Sequence, residues 1–371
     1  MTEPSKLTIL DVARLAGVSR STVSRVMNGR EDVRTEVRAR VLQVIDETGF
    51  RPSATARSLV SRRTGVLGLV IPWRVSQLLE DPYFVRLIRG VSRASNAAGT
   101  TLSLLLFDTE DEERELYRRV VAPRLVDGVI LVAARVDDPL LDEIADSGLP
   151  MVSLGRVTHR DDVSWVAVDD FEGSKRAVQH LASLGHTRIA AIAAPQQMIA
   201  GIDRYNGFVE GMREAGLNPG LVEFGDWSGD GGYAAMRNLL HHRPTAVYVA
   251  SDTMAMGALR AINDVGLSVP GDLALVSFDG LPASERSNPP LTTLRQPISE
   301  IGETLIKILL GQIDTEARNP IGKLIPTELI IRQSSGSSDT TEPRTTAVTG
   351  GSVGRKSRAV ASRFHGDPAE A

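Results

Sequence analysis

With 371 residues, 42% of them apolar, the chain can fill two or three domains with substantial cores. It contains no cysteine, which excludes disulfides, iron–sulfur clusters and thiol catalysis and agrees with a reducing compartment. The net charge of -4 argues against a protein that coats nucleic acid over its whole surface, yet residues 1–63 carry 12 Lys and Arg against 7 Asp and Glu. A basic head on an acidic body is the pattern of a DNA-reading module joined to a body with another task.

The opening Met-Thr-Glu-Pro-Ser-Lys lacks the apolar core of a secretion signal, and no apolar run approaches membrane-spanning length. A cytoplasmic protein without membrane contact is expected. Thr8 and Asp11 form the Ser/Thr-x-x-Asp/Glu pattern of a capped helix start, with Val12, Leu15 and Ala16 as the inner face. Gly17 permits a sharp turn, and Ser19 is a good N-cap for a second helix. In that helix Val23, Val26 and Met27 point inward, while Arg20, Ser21, Ser24, Arg25 and Asn28 lie opposite. A short exposed helix with two arginines and several hydroxyls suits entry into a DNA major groove. The same pattern also fits an ordinary small helical cap whose arginines are solvated.

A third helix is expected over Thr35–Thr48, where Val37, Val41, Val44 and Ile45 recur at helical spacing and Gly49 supplies a C-cap. In residues 51–63, Ser53, Thr55, Ser58 and Ser61 weaken any autonomous helix, so this stretch orders only with outside support. From Gly65 strands and helices alternate. Strands are expected at Val66–Ile71, Thr101–Phe107, Gly128–Val132 and Met151–Leu154, with helices at Phe84–Ala98, Glu112–Leu125 and Leu140–Asp146. After a break near Arg156–Val163 the alternation resumes with Trp165–Val168, Gly173–Leu184, Arg188–Ala193, Arg204–Ala215, Gly231–Leu240, Ala246–Ala250, Thr253–Val265 and Leu273–Phe278. Such alternation implies α/β lobes with doubly wound parallel sheets and a ligand cleft between them. From about Ser334 the chain is polar and reads as a disordered tail without heptads.

Catalytic signatures are missing from the sequence. The six histidines are scattered, and the adjacent His241 and His242 would point apart on a helix. No H-E-x-x-H or P-loop pattern occurs, and His186 reads as a turn or packing residue. No catalytic residue, metal ligand or cofactor is assigned.

The runs Asp11-Val12-Ala13, Ala16-Gly17-Val18-Ser19 and Thr22-Val23-Ser24-Arg25-Val26, with Asn28, resemble the opening signature of the lactose/galactose-repressor (LacI/GalR) family. Asp170-x-x-Gly173, His180-Leu181-x-x-Leu184-Gly185-His186, Arg204-x-x-Gly207-Phe208, Asp252-x-x-Ala255-x-Gly257 and Phe278-Asp279 resemble its landmarks up to about residue 332. The resemblance implies an all-α helix-turn-helix head and a two-lobed body like the periplasmic binding proteins. Its boundaries would be a head at 1–50, a hinge at 51–64, a body at 65–335 and a disordered tail at 336–371. Lobe 1 would comprise about 65–165 and 296–325, and lobe 2 about 166–295 and 326–335.

By the same resemblance Arg20, Ser21 and Arg25 read bases, an arginine on guanine being worth about 1–3 kcal/mol of discrimination. Thr22 and Asn28 touch phosphate or brace the turn, and Thr8, Ser19 and Arg38 complete the DNA-facing set. Val37-Arg38 stands where the family often has Thr-Arg, which removes one hydroxyl contact. Leu59 would be the wedge of a hinge helix in the minor groove, flanked by Ala56 and Arg57. Arg204, Trp227, Asp252 and Asp279, with Tyr83 and Phe84 on the other wall, are the implied effector contacts, suited to a polyhydroxylated ring. Each carboxylate also fits a helix cap or buried ion pair, and Trp227 a core position. Arg204→Ala is expected to abolish the effector response without unfolding the body.

The expected function is thus a homodimeric repressor of sugar-utilisation genes, released from a palindromic operator by a small, sugar-like effector. Alternatives are a regulator with a purine-type corepressor, a solute-binding protein of sugar uptake, and a two-lobed sugar enzyme with a DNA-binding head.

Overall fold

The computed structural model describes residues 7–27, 30, 32–50, 63–72, 78, 81–107, 109–116, 118, 125–132, 135–315 and 319–336. Three helices come first: α1 (Ile9–Ala16), α2 (Arg20–Met27) and α3 (Thr35–Thr48). Thr8 and Asp11 close a reciprocal capping box at the start of α1, and Gly17 ends it in the left-handed region at φ 62°. Gly49 does the same for α3. Val12, Ala13, Ala16, Val23, Val26, Val41 and Phe50 form the small core they share. Leu15, expected inside, is 55% exposed instead. Ala13 takes its place because the face of α1 turned to α2 and α3 is the one carrying residues 12, 13 and 16.

The body contains two six-stranded sheets. The first is built from β1 (Val66–Val70), β2 (Thr101–Leu105), β3 (Gly128–Val132), β4 (Met151–Leu154) and β5 (Ser164–Val168), interspersed with α4 (Pro82–Ala97), α5 (Glu110–Leu116) and α6 (Pro139–Asp146). The second uses β6 (Ile189–Ala193), β7 (Val222–Phe224), β8 (Ala246–Val249), β9 (Ala274–Asp279) and β10 (Thr292–Arg295). Its helices are α7 (Asp170–Ser183), α8 (Ile199–Glu214), α9 (Gly229–Leu240), α10 (Asp252–Asp264) and the short α11 (Pro282–Arg286). The chain then returns to the first lobe through α12 (Ile298–Asp314) and β11 (Gly322–Ile325), and goes back to the second through β12 (Glu328–Ile330).

Strand order is β11-β5-β4-β3-β1-β2 in one sheet and β12-β10-β9-β8-β6-β7 in the other. Every pairing is parallel except β10 with β12. The central strands β3, β6, β8 and β9 are buried throughout, as parallel strands covered by helices on both faces must be. The chain therefore crosses between lobes three times: after β5, after β10 and after β11.

Three sequence expectations need correction. Ser164–Val168 does not open the second sheet. It pairs with β4 and β11, so the expected lobe boundary at 165–166 cuts a strand that lies wholly in the first sheet. Alternation reveals a strand but not which sheet it joins, and here the pairing comes from residues 322–325. The described part of the helix expected over Glu112–Leu125 is Glu110–Leu116. Ser334 and Ser335, read as the start of the tail, are buried in a 3₁₀ turn. The Ser334 hydroxyl donates to the Leu275 carbonyl at 2.6 Å and accepts from Thr292 N at 2.8 Å, so its polarity is satisfied inside. The tail expectation for later residues lies outside the described residues.

Helices of the second lobe cross at backbone contact. A Cβ added at Gly207 of α8 would lie 2.1 Å from the Phe171 carbonyl oxygen, and one at Gly257 of α10 would lie 1.7 Å from that of Gly229. Both glycines are thus contact points between helices. Gly207→Ala should destabilise the body by about 1–3 kcal/mol through overpacking, read as a lower urea midpoint with an unchanged slope. An unchanged midpoint would mean that α7 and α8 can separate freely.

Candidate functional site

Two surfaces carry the residues singled out by sequence. On α2, Arg20, Ser21 and Arg25 are exposed opposite the buried Val23 and Val26. The Ser19 hydroxyl accepts from Thr22 N at 3.1 Å and bonds the hydroxyls of Ser21 and Thr22 at 2.7 and 2.8 Å, fixing the helix start. Arg25 lies 3.7 Å from Asp32 in an exposed pair, an interaction weak enough to give way to a nucleic acid. Two members of the expected set are engaged in structure: Thr8 is committed to the α1 cap, and Arg38 donates to the Arg30 carbonyl. Asn28, Ala56, Arg57 and Leu59 lie outside the described residues.

The second surface is a cavity of about 110 Å³ between the lobes, many times the space one water molecule needs. Tyr83, Phe84, Arg204, Trp227 and Asp279 all line it. Their positions follow from strand ends and helix starts. Asp81 caps α4, with Tyr83 N donating to its Oδ1 at 3.0 Å. Asp170 begins α7 and Asp279 ends β9. These are the carboxyl ends of parallel strands, where open α/β sheets place ligands.

Arg204 is the centre of this site. It is 4% exposed, and its guanidinium lies 3.8 Å from the Phe278 ring centroid and 5.4 Å from that of Trp227. Nε donates to Asp170 at 2.8 Å, while Nη1 donates to the Ala250 carbonyl at 2.5 Å and to Asp279 at 3.0 Å. Nη2 has no partner among the described residues, yet it is not sealed from the cavity. Burial opposes the charge on Arg204, but Asp170 and Asp279 outweigh it and hold the group above its ordinary pKa.

Backbone strain gathers here too. Trp227 has φ 72° and Asp279 has φ 113°, both in a region that favours glycine. The indole Nε1 of Trp227 is buried and, among the described residues, donates to nothing. Strained backbone and an unmet donor thus gather on one wall of the cavity.

Asp252 behaves differently from the expectation. It is fully buried and does not line the cavity. Its Oδ1 accepts from Ser277 Oγ and from Thr293 Oγ1 at 2.8 Å, and its Oδ2 accepts from Leu281 N at 2.6 Å. Asp252 therefore ties β9, β10 and the following turn together, as a brace rather than an effector contact.

Sequence reading missed Asp81, Asp170 and Gln296, which line the cavity. Asp170 stood only in a family landmark, and Asp81 lay just before the helix expected from Phe84, where no role was assigned to it. Gln296 donates to Asp279 Oδ1 at 2.8 Å from the second crossover. Several contacts hold the lobes together around the cleft. Thr253 donates to Asp81 at 3.3 Å, Arg86 to the Gly280 carbonyl at 2.8 Å, and Arg156 to Asp203 at 2.7 Å.

Comparison with known proteins then decides the family. The N-terminal region matches the model of bacterial regulatory proteins, lacI family, over residues 8–53, and residues 178–335 match a periplasmic binding protein-like domain. The HTH-type transcriptional regulator CelR of Thermobifida fusca is 37% identical over 329 residues, 87% of this chain and 96% of that protein. The chain belongs to the lacI family. The structure of a CelR–cellobiose complex is also similar, at 36% identity and a TM-score of 0.71, covering 88% of this chain and 99% of that one. A lac repressor dimer bound to operator and the anti-inducer ONPF superposes with a TM-score of 0.76 at 27% identity, covering 89% of this chain and 99% of that one. This lacI-family member is a ligand-responsive, DNA-binding transcriptional regulator, and its relatives are regulators rather than enzymes. Among the described residues no helix is long and apolar enough to cross a membrane.

Two outcomes follow from the buried charges. Arg204→Ala would strand Asp170 and Asp279 without a counter-ion, at a cost of about 3–5 kcal/mol, so the body should lose stability in chemical denaturation, contrary to the sequence expectation. Full stability in that variant would show that the ion pairs are dispensable. Burial, reinforced by the charge of Asp279, pushes the Asp81 carboxyl up to about 6. A carboxyl whose pKa is raised on folding adds stability at low pH that is lost as pH climbs from about 4 to 6. Asp81→Asn keeps the cap and removes this loss. It should raise the thermal midpoint at about pH 7.5 and by clearly less near pH 4.5, where only part of the loss has set in. Equal midpoints at both values would place Asp81 in a solvated setting.

Proposed function

We propose that the chain is a repressor of sugar-utilisation genes that binds a near-palindromic operator as a homodimer and is released by a sugar in the cleft. The observation that carries this reading is a pair of unpaired donors beside aromatic faces: Arg204 Nη2 and the buried Trp227 Nε1, flanked by Phe84 and Tyr83. Donors of fixed direction next to flat apolar rings suit a sugar, whose hydroxyls lie at its edge and whose C–H groups form its faces. The cellobiose complex of CelR, a relative by both sequence and structure, supports the same ligand class.

Arg20, Ser21 and Arg25 would choose the half-site from an exposed helix face, and two copies would present these faces about one DNA turn apart. Ala56, Arg57 and Leu59 are proposed to form the hinge that seats at the operator's centre. Because both lobes line the cavity, a ligand that fits the closed cleft better than the open one shifts the lobes, and through them the hinge. The protein works in the cytoplasm, where such an operator lies.

A thermal-shift panel of cellobiose, lactose, ribose, hypoxanthine and guanine tests the effector class, because a ligand of the native state raises the midpoint. At least one sugar should raise it and lower operator affinity in an anisotropy titration, and Trp227→Phe should weaken that response. Response to a purine alone, with tighter operator binding, would replace this reading by corepression. For the head, Arg20→Ala should cost about 1–3 kcal/mol of discrimination at one base pair of each half-site and leave the sugar response intact. Uniform weakening across sequences would assign Arg20 to phosphate.

A further inference from the structure

The cavity is unbalanced in charge. Among the described residues lining it, Asp81, Asp170 and Asp279 carry carboxyl groups, and Arg204 is the one cation. That cation is already committed to Asp170 at 2.8 Å and to Asp279 at 3.0 Å. Asp81, on the wall of the first lobe, has no cation within salt-bridge distance among the described residues. Both of its recorded hydrogen bonds, from Tyr83 N and Thr253 Oγ1, go to Oδ1, which leaves Oδ2 open to the cavity.

Helix N-termini reinforce this bias. Elsewhere the free N–H groups of such ends receive phosphates. Here α4 is capped by Asp81, and α7 is capped by Asp169 with Asp170 in its first turn, so both ends bear the protein's own carboxylates. The start of α8 has no capping side chain, but what it brings to the cavity is Met198 and Ala200 rather than a cation. A phosphate or carboxylate entering the cleft would find one open guanidinium edge, already neutralised by Asp170 and Asp279, and would meet net like charge from the carboxylates around it.

We infer that the cleft admits an uncharged polyol and rejects its phosphorylated or carboxylated counterpart, with Asp81 as the residue that enforces the choice. Oδ2 of Asp81 receives a ligand hydroxyl and repels an anion from the same position. This selectivity rests on the proposed reading of the cleft as a sugar site, and it goes further by dividing sugars by charge.

The test is calorimetric titration of the full-length chain with matched pairs: cellobiose and cellobionate, glucose and glucose 6-phosphate, ribose and ribose 5-phosphate. In any pair that binds, the uncharged member should bind about a hundredfold more tightly, the scale of one like charge at close range in a partly buried site. Asp81→Asn, which keeps the α4 cap, should shrink that ratio by about tenfold or more. A tighter or equal affinity for the anionic member in the wild-type chain overturns the inference and leaves the sugar reading standing. A ratio unchanged by Asp81→Asn removes Asp81 from the role. Silence from every pair overturns the sugar reading, and the inference with it.

Discussion

One buried guanidinium organises the second lobe and its cleft. Arg204 projects from a helix, but its partners come from α7, from the end of β8 and from the end of β9. A charge taken out of water at 4% exposure survives only if its surroundings answer it, and two carboxylates, a carbonyl and the Phe278 ring do so. The arrangement fixes where α8 sits relative to the sheet, and it also leaves one edge of the guanidinium facing the cavity. Stability and recognition therefore share a residue. The carboxylates that answer Arg204 bring their own demands: Asp279 needs Gln296 from a crossover, and Asp252 behind it needs Ser277, Thr293 and Leu281. Burial and the nearness of Asp279 raise the pKa of Asp252, so the cluster is a crowded negative site held by one positive charge and a shell of donors.

The strain at Trp227 and Asp279 belongs to this logic. A positive φ on a bulky residue persists only where its surroundings over-determine it. At Asp279 the hydrogen bonds from Arg204 and Gln296 do so, and the carboxylate is thereby aimed inward. At Trp227 the indole packs against the main core while its N–H stays unmet. The cost of both is met by the packing of the rest of the lobe, where Tyr248, Phe208 and Phe278 are among the largest fully buried side chains.

Much of this was legible in the sequence wherever the signal was local. The Thr8–Asp11 cap, the turn at Gly17 and the stop at Gly49 each depend on residues within a few positions of one another. The alternation that announced parallel sheets depends on contiguous apolar runs. What could not be read was long-range. Whether Asp252 lines a pocket or braces a turn depends on Ser277 and Thr293, far along the chain, and a matching motif is silent on that choice. Asp81 and Asp170 sit at helix starts, and only the meeting of the lobes makes them a cavity wall. Ser334 and Ser335 read as tail because hydroxyl-rich stretches usually are. Thr292, Leu275 and His180 supply the partners that bring them inside.

The three crossings between lobes bear on how the protein is made. The first sheet begins at Val66, yet its edge beside β5 is closed by Gly322–Ile325, which pairs with Trp165–Val168 across more than half the body. The helix that covers this sheet, Ile298–Asp314, arrives equally late. During synthesis from the N-terminus, the first lobe must wait with an open strand edge and an uncovered apolar face until nearly all of the second has emerged. Long-range parallel pairing of this kind is slow and exposed to aggregation. The topology that places the cleft between two sheets thus makes the two lobes one folding unit, and neither can be completed without the other's chain.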